Sequence, residues 1–241
     1  NLFPVGGPSP DQTRAIRGDG VALDRFTSTP GAALAEFQRQ FQPKEVELLQ
    51  FMGAPFYAAY QRADPSARPH QDAARYSTTG PRLSRVLVTA DGVAPRMKDG
   101  FTRDELLAAA RTAMSGMEPV EATWLTDVDA YYYQRSGPSR LPALRAKFND
   151  PEETWLYLDG RDGSLVRAEV RGSRVERWLN RGLHSLDFPG LYQAPWAWYP
   201  LIVGLSLGGL ALSLTAVIVG WRFLRARARP ATERLRLSRS A

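Results

Sequence analysis

Along this chain the spacing of apolar positions changes period several times, and each change predicts an element. Residues 1–21 hold Gly6-Gly7-Pro8-Ser9-Pro10 and Gly18, breakers that read as a linker or lead-in. Behind Thr29-Pro30, Leu34, Phe37, Gln38 and Phe41 recur at helical spacing. A helix is therefore expected from Pro30 to Phe41, with Thr29 as N-cap and Pro30 in its first turn. Glu45–Phe51 and Pro55–Gln61 read as strands, polar Arg62–Pro81 as a loop, and Leu83–Thr89 as a third strand closed by Asp91-Gly92.

The order then repeats. Thr102 is expected to cap a second helix, Arg103–Ser115, with Leu106, Leu107, Ala110 and Met114 inward. Strands are predicted at Val120–Leu125, Asp129–Gln134, Ala143–Phe148, Thr154–Asp159 and Leu165–Val170. Tyr60-Gln61 matches Tyr133-Gln134 at an offset of 73, and Thr89-Ala90-Asp91-Gly92 matches Tyr157-Leu158-Asp159-Gly160 at an offset of 68. The expectation is an α+β fold of two units, 22–93 and 100–172, each a helix packed on a small antiparallel sheet. The first is degenerate, with a long loop where the second has a strand. An amphipathic juxtamembrane helix is expected within 173–190, with Val175, Trp178, Leu179, Leu183 and Leu186 on one side and Arg174, Arg177 and Arg181 elsewhere.

Leu201–Gly220 carries no charge, and a helix of about 20 apolar residues matches a hydrocarbon core of roughly 30 Å. A transmembrane helix is expected over 196–222, followed by a basic tail over 223–241. Trp178, Trp196, Trp198, Tyr199 and Trp221, with Arg222 and Arg225, mark the membrane interfaces. Within the span, Gly204, Ser206, Gly208, Gly209, Ser213, Ala216 and Gly220 form stripes of small side chains, which read as contact with other transmembrane helices of a larger complex.

Composition narrows the picture in three ways. Of 31 basic and 25 acidic residues, seven arginines and one glutamate follow Trp221, so the remainder holds 24 of each and the whole +6 excess belongs to the tail. That excludes a basic nucleic-acid face on the outer part, and it places the tail in the cytoplasm with the bulk of the chain on the other side. No cysteine is present, which removes disulfides, thiolate nucleophiles and cysteine metal sites. Asn1-Leu2-Phe3-Pro4 is neither a charged start nor an apolar run, so a signal or an earlier span is expected ahead of it.

Thr154-Trp155-Leu156-Tyr157-Leu158-Asp159-Gly160-Arg161-Asp162-Gly163-Ser164-Leu165-Val166 resembles the end of a PepSY domain: an aromatic-flanked strand, an Asp, a tight Gly-containing turn and a second strand. Arg177-Trp178-Leu179 and Leu183-His184, followed by a span, resemble the segment joining such a domain to its associated transmembrane helix. The resemblance covers about residues 100–224 well and 22–93 weakly. It implies a module of the bacterial periplasm that binds or restrains a partner; with the span, the leading expectation is a non-enzymatic, inner-membrane-anchored accessory protein, with no cofactor expected unless haem is held in the alternative that follows. Membrane-bound relatives also include ferric-siderophore reductases, which implies an alternative redox role with His184 as a haem ligand. Secreted relatives imply a third role, inhibition of a periplasmic protease.

Other constellations read more modestly. As a strand, Tyr131 and Tyr133 share one face and Tyr132 the other; rings on both faces suggest one buried face and one recognition face, with packing within the sheet the favoured account. Glu152-Glu153 and Asp127/Asp129 are acids at turns or strand ends, where solvation is the ordinary state, and no nucleophile or base accompanies them.

Overall fold

The computed structural model describes residues 6–60, 85–133, 140–184, 186, 188, 191 and 195–237, with the backbone alone at 181, 184, 195 and 227–237. The predicted loop Arg62–Pro81, the start of the strand at Leu83, Gln134 and His70 lie outside the described residues.

Among the described residues the architecture is α+β, with two four-stranded antiparallel sheets and one long apolar helix near the C-terminus. Helix α2 (Pro30–Gln38) precedes β1 (Val46–Phe51), β2 (Ala54–Tyr60), β3 (Arg85–Thr89) and β4 (Met97–Lys98). Helix α3 (Arg103–Ala113) precedes β5 (Glu121–Leu125), β6 (Ala143–Lys147), β7 (Trp155–Asp159) and β8 (Leu165–Glu169). Both sheets are simple meanders, so each half is a helix followed by four sequentially paired strands.

Local chemistry sets the helix starts. Thr29 Oγ1 accepts Ala32 N–H at 3.2 Å. Thr102 forms a reciprocal capping box, in which Glu105 N–H donates to Thr102 Oγ1 and Thr102 N–H donates to Glu105 at 2.7 Å. The tight β1–β2 hairpin turns on Met52-Gly53, both at positive φ, as the strand twist requires of a two-residue loop.

Equivalent backbone bonds tie the two halves to one plan. Ala90 N–H donates to Pro55 O (3.1 Å) and Gly160 N–H to Pro142 O (2.8 Å). Thr27 N–H donates to Ala90 O (2.9 Å) and Phe101 N–H to Gly160 O (2.7 Å). Ala90 and Gly160 are thus the matched positions, two residues from the alignment read in the sequence. The tyrosine match also fails: Tyr60 ends β2, whereas Tyr133 lies in the connection before β6. Asp129–Tyr133 is no strand, because Asp129 Oδ1 accepts the N–H groups of Tyr131 and Tyr132 and folds the chain into a turn. The long connection falls between β2 and β3 in the first half and between β5 and β6 in the second.

The lead-in contributes structure as well. Pro10–Arg17 is a helix, α1, started by a Ser9–Gln12 capping box. Ile16 is buried, and its carbonyl accepts Met52 N–H at 2.8 Å. The breakers Pro8, Ser9 and Pro10 mark this helix's start, and Gly18 stands at its end.

The two sheets do not enclose separate interiors. One cluster joins Leu49, Phe51, Phe56, Ala58 and Leu87 of the first half to Phe101, Leu106, Leu144, Leu156 and Leu158 of the second, with Ile16 among them. Phe51 and Phe101 meet with ring centroids 4.1 Å apart. Alternate β2 residues turn away: Tyr57 and Ala59 pack with Val88 beneath Ala33 and Phe37 of α2. Leu34 of α2 is exposed, so the helix buries the Ala33/Phe37 side of its stripe. Across sheet two, Tyr157 and Ala143 pack with Tyr132 and Leu141.

After β8 the chain forms α4 (Arg171–Glu176), which continues in wider π-helical turns over Arg177–His184. Gly182–Ala241 clusters apart from the preceding residues. It contains α5 (Pro195–Leu237), in which Trp196–Ala226 is long and apolar enough to cross a membrane. At 1.5 Å per residue, the uncharged Leu201–Gly220 alone extends ~30 Å.

Candidate functional site

Two polar assemblies stand out against this framework. The first lies where the β7–β8 turn meets sheet one. The turn Asp159-Gly160-Arg161-Asp162-Gly163-Ser164 folds on its own acids: Asp159 accepts Arg161 N–H at 2.8 Å, and Asp162 accepts the Ser164 N–H and hydroxyl. Gly163 has φ +67° and faces Phe51 so closely that a Cβ would sit 2.3 Å from the ring. Asp162 also pairs with Arg85 of β3, which holds Glu47 of β1 at 2.6 Å. Arg140 approaches Asp162 at 3.5 Å and Asp159 at 3.9 Å. An ion pair thus clasps the two halves beside their shared core.

The two acids of this turn are driven apart electrostatically. Burial and the neighbouring Asp162 charge push the Asp159 carboxyl up to about 6. Burial also opposes ionisation of Asp162, but the Ser164 hydroxyl and the Arg85 charge outweigh it and hold this carboxyl below its ordinary value. Tyr132 stacks on Tyr157 at 4.9 Å and donates its hydroxyl to Arg140 O at 2.6 Å. Burial first, then the Asp159 charge, raises the Tyr132 phenol.

The second assembly surrounds α4 and its continuation. Trp178 Nε1–H donates to Tyr131 Oη at 2.9 Å, and the Tyr131 ring stands edge-on to Trp155 at 5.2 Å. Arg174 is buried, crosses the face of Trp155 at 4.5 Å and pairs with Glu153 at 3.1 Å. Arg177 is buried against Tyr131, Tyr133 and Trp178. Among the described residues no group of three or more His, Asp or Glu side chains is placed to hold a metal.

Several sequence readings change here. Tyr132 and Tyr133 are buried and Tyr131 is half-buried, in a turn and not a strand, so these rings are largely taken up in packing. Asp129, read as a solvated acid, is a junction that accepts Arg145 at 2.8 Å and the Tyr157 hydroxyl at 3.2 Å. Glu153 pairs with Arg171 and Arg174. Trp178 is half-buried, and its indole N–H donates to the Tyr131 hydroxyl. In the helical segment after β8, Val175, Leu179 and Leu183 are exposed while Arg174 and Arg177 turn inward. Periodicity identifies which residues share a face; rings and acids from distant segments decide which face is covered.

For the remaining positions the outcome is simpler. The His184 backbone ends the π-helical turns and its side chain lies outside the described residues, as does His70. Gly204, Ser206, Gly208, Gly209, Ser213, Ala216 and Gly220 all lie on α5, and a Cβ at any of the four glycines would meet open space. The Ser213 hydroxyl donates to Gly209 O at 2.9 Å, a bond within the helix. Trp198 and Tyr199 meet edge-to-face at 5.2 Å, Arg225 lies 5.0 Å from the Trp221 ring centre, and Trp196 and Arg222 are exposed. Arg85, Arg140 and the buried role of Arg177 escaped sequence reading; of the three, Arg177 alone has an aromatic neighbour in the sequence, Trp178.

No family model, curated protein or solved structure matches the chain.

Proposed function

We propose that this chain is a membrane-anchored, non-enzymatic binding module of PepSY type. It is held in the bacterial inner membrane with its two-sheet part in the periplasm and its arginine tail in the cytoplasm. The observation that carries this reading is Trp196–Ala226, a 31-residue helix long and apolar enough to cross a membrane. An apolar surface of that length needs lipid or other helices around it. Seven arginines follow Trp221, which supports a cytoplasmic C-terminus. Small residues along one side of the span support close approach of a partner helix, and hence membership of a larger complex. The exposed Val175, Leu179 and Leu183 are suited to rest at a headgroup boundary.

The absence of native cysteine makes orientation directly testable. Val93 is almost fully exposed, at 97%. In intact spheroplasts a membrane-impermeant maleimide should label Val93→Cys at once and Ser238→Cys only after lysis. The opposite labelling pattern would reverse the proposed orientation, and labelling of both without lysis would remove the membrane span altogether.

A further inference from the structure

Arg177 is the least compensated charge in the described structure. The residue is 1% exposed, and among the described residues none of its three guanidinium nitrogens has a hydrogen-bond acceptor. Its surroundings are aromatic: Cζ lies 4.7 Å from the Trp178 ring centre, 4.9 Å from that of Tyr133 and 5.8 Å from that of Tyr131. Ring faces attract the charge yet accept none of its five N–H bonds in the guanidinium plane.

Other arginines of the fold differ in one respect. Arg85 holds Asp162 and Glu47, Arg145 holds Asp129 and Glu121, Arg167 holds Glu169, and Arg174 holds Glu153. The acids nearest in sequence to Arg177 are engaged too, since Glu169 also accepts Ser173 and Glu176 accepts Asn180. A buried cation without a counterion is costly to the fold, whereas a bidentate oxyanion would satisfy it.

We propose that Arg177, walled by Tyr131, Tyr133 and Trp178, forms a binding site for an oxyanion, the carboxylate or phosphate group of a small ligand. The guanidinium supplies the fork for two oxygens. The Tyr131 hydroxyl already accepts Trp178 Nε1–H, which fixes its orientation, and its own proton has no acceptor among the described residues. It is the natural third donor. Tyr133 is buried and forms the fixed wall, while Tyr131 and Trp178 are half-buried and form the side that turns outward to admit the ligand.

The test uses the full-length protein in mild detergent, with thermal unfolding followed while acetate or inorganic phosphate replaces chloride at constant ionic strength. Wild type should gain stability saturably with at least one of the two anions, and the stronger one identifies the group as carboxylate or phosphate. Arg177→Met should lose that response while being no less stable than wild type in chloride, because it removes an unpaired buried charge. Arg177→Lys, which keeps the charge but not the fork, should bind about tenfold more weakly. Three results would overturn the proposal: no saturable response from wild type, a response retained in Arg177→Met, or unchanged affinity in Arg177→Lys.

Discussion

Replacing Asp159 by Asn should stabilise the protein at neutral pH, although it removes a charge that lies within reach of Arg140. In the folded chain the carboxyl titrates at about 6, against 3.8 for an unperturbed aspartate. Between those values the native state holds a proton that the unfolded chain has released, so stability falls as pH rises from about 4 to about 6. Two pK units correspond to ~3 kcal/mol, present below pH 4 and lost above pH 6. The side chain is only 6% exposed, so solvent screening removes little of this, while Arg140 is half in solvent at 3.9 Å and returns under ~1 kcal/mol. An asparagine oxygen can still accept Arg161 N–H, which leaves a net gain of ~2 kcal/mol at pH 7.5. For a domain of this size that is about 4–8 °C in melting temperature. Near-ultraviolet circular dichroism of the full-length protein in detergent, melted at intervals from pH 4 to pH 8, measures it. The two proteins should converge near pH 4 and separate above pH 6. An Asp159→Asn protein that melts below wild type at pH 7.5 would show the carboxylate to be a net stabilising ion, and the reasoning would fall.

Three further outcomes follow from the packing. Gly163→Ala places a methyl group 2.3 Å from the Phe51 ring at a φ of +67°, so left-handed strain and overpacking should together cost about 2–4 kcal/mol in thermal unfolding. Phe101→Ala removes the ring lying between Phe51 and Phe56 and should cost about 3–5 kcal/mol, with both halves losing near-ultraviolet signal in one transition. Changing Gly209 and Ser213 together to Leu should leave the protein inserted in the membrane while releasing whatever co-purifies with it; unchanged co-purification would remove the helix-contact reading.

Much of the fold was legible because its signals are local. Thr29-Pro30 and Thr102 with Glu105 are side chains that close their own helix ends, and the short continuous apolar runs of β2 and β7 need no information from elsewhere. The repeat was visible for the same reason, although its alignment slipped by two residues where only the carbonyls of Pro55 and Pro142 define equivalence. The illegible parts depend on distant partners. Asp129 looks like a solvated turn acid until Arg145 and Tyr157 are brought to it, and that junction is why Tyr131–Tyr133 bends instead of extending. Arg85 and Asp162 are 77 residues apart and meet only because the sheets share an interior. Arg177 sits on what the sequence shows as the polar side of a helix, and only packing reveals that side to be the covered one.

The clasp between the halves is made of charge and shape: Arg85 on Asp162, and Phe51 seated against Gly163, in a chain without cysteine. Many small domains working outside the reducing interior of a cell fasten such a junction with a covalent bridge. Here the fastening is indifferent to thiols and oxidants, so the protein holds together equally on either side of a membrane. Acidity is what it senses instead: protonation of Asp162 at sufficiently low pH would loosen the tie that no reductant can cut.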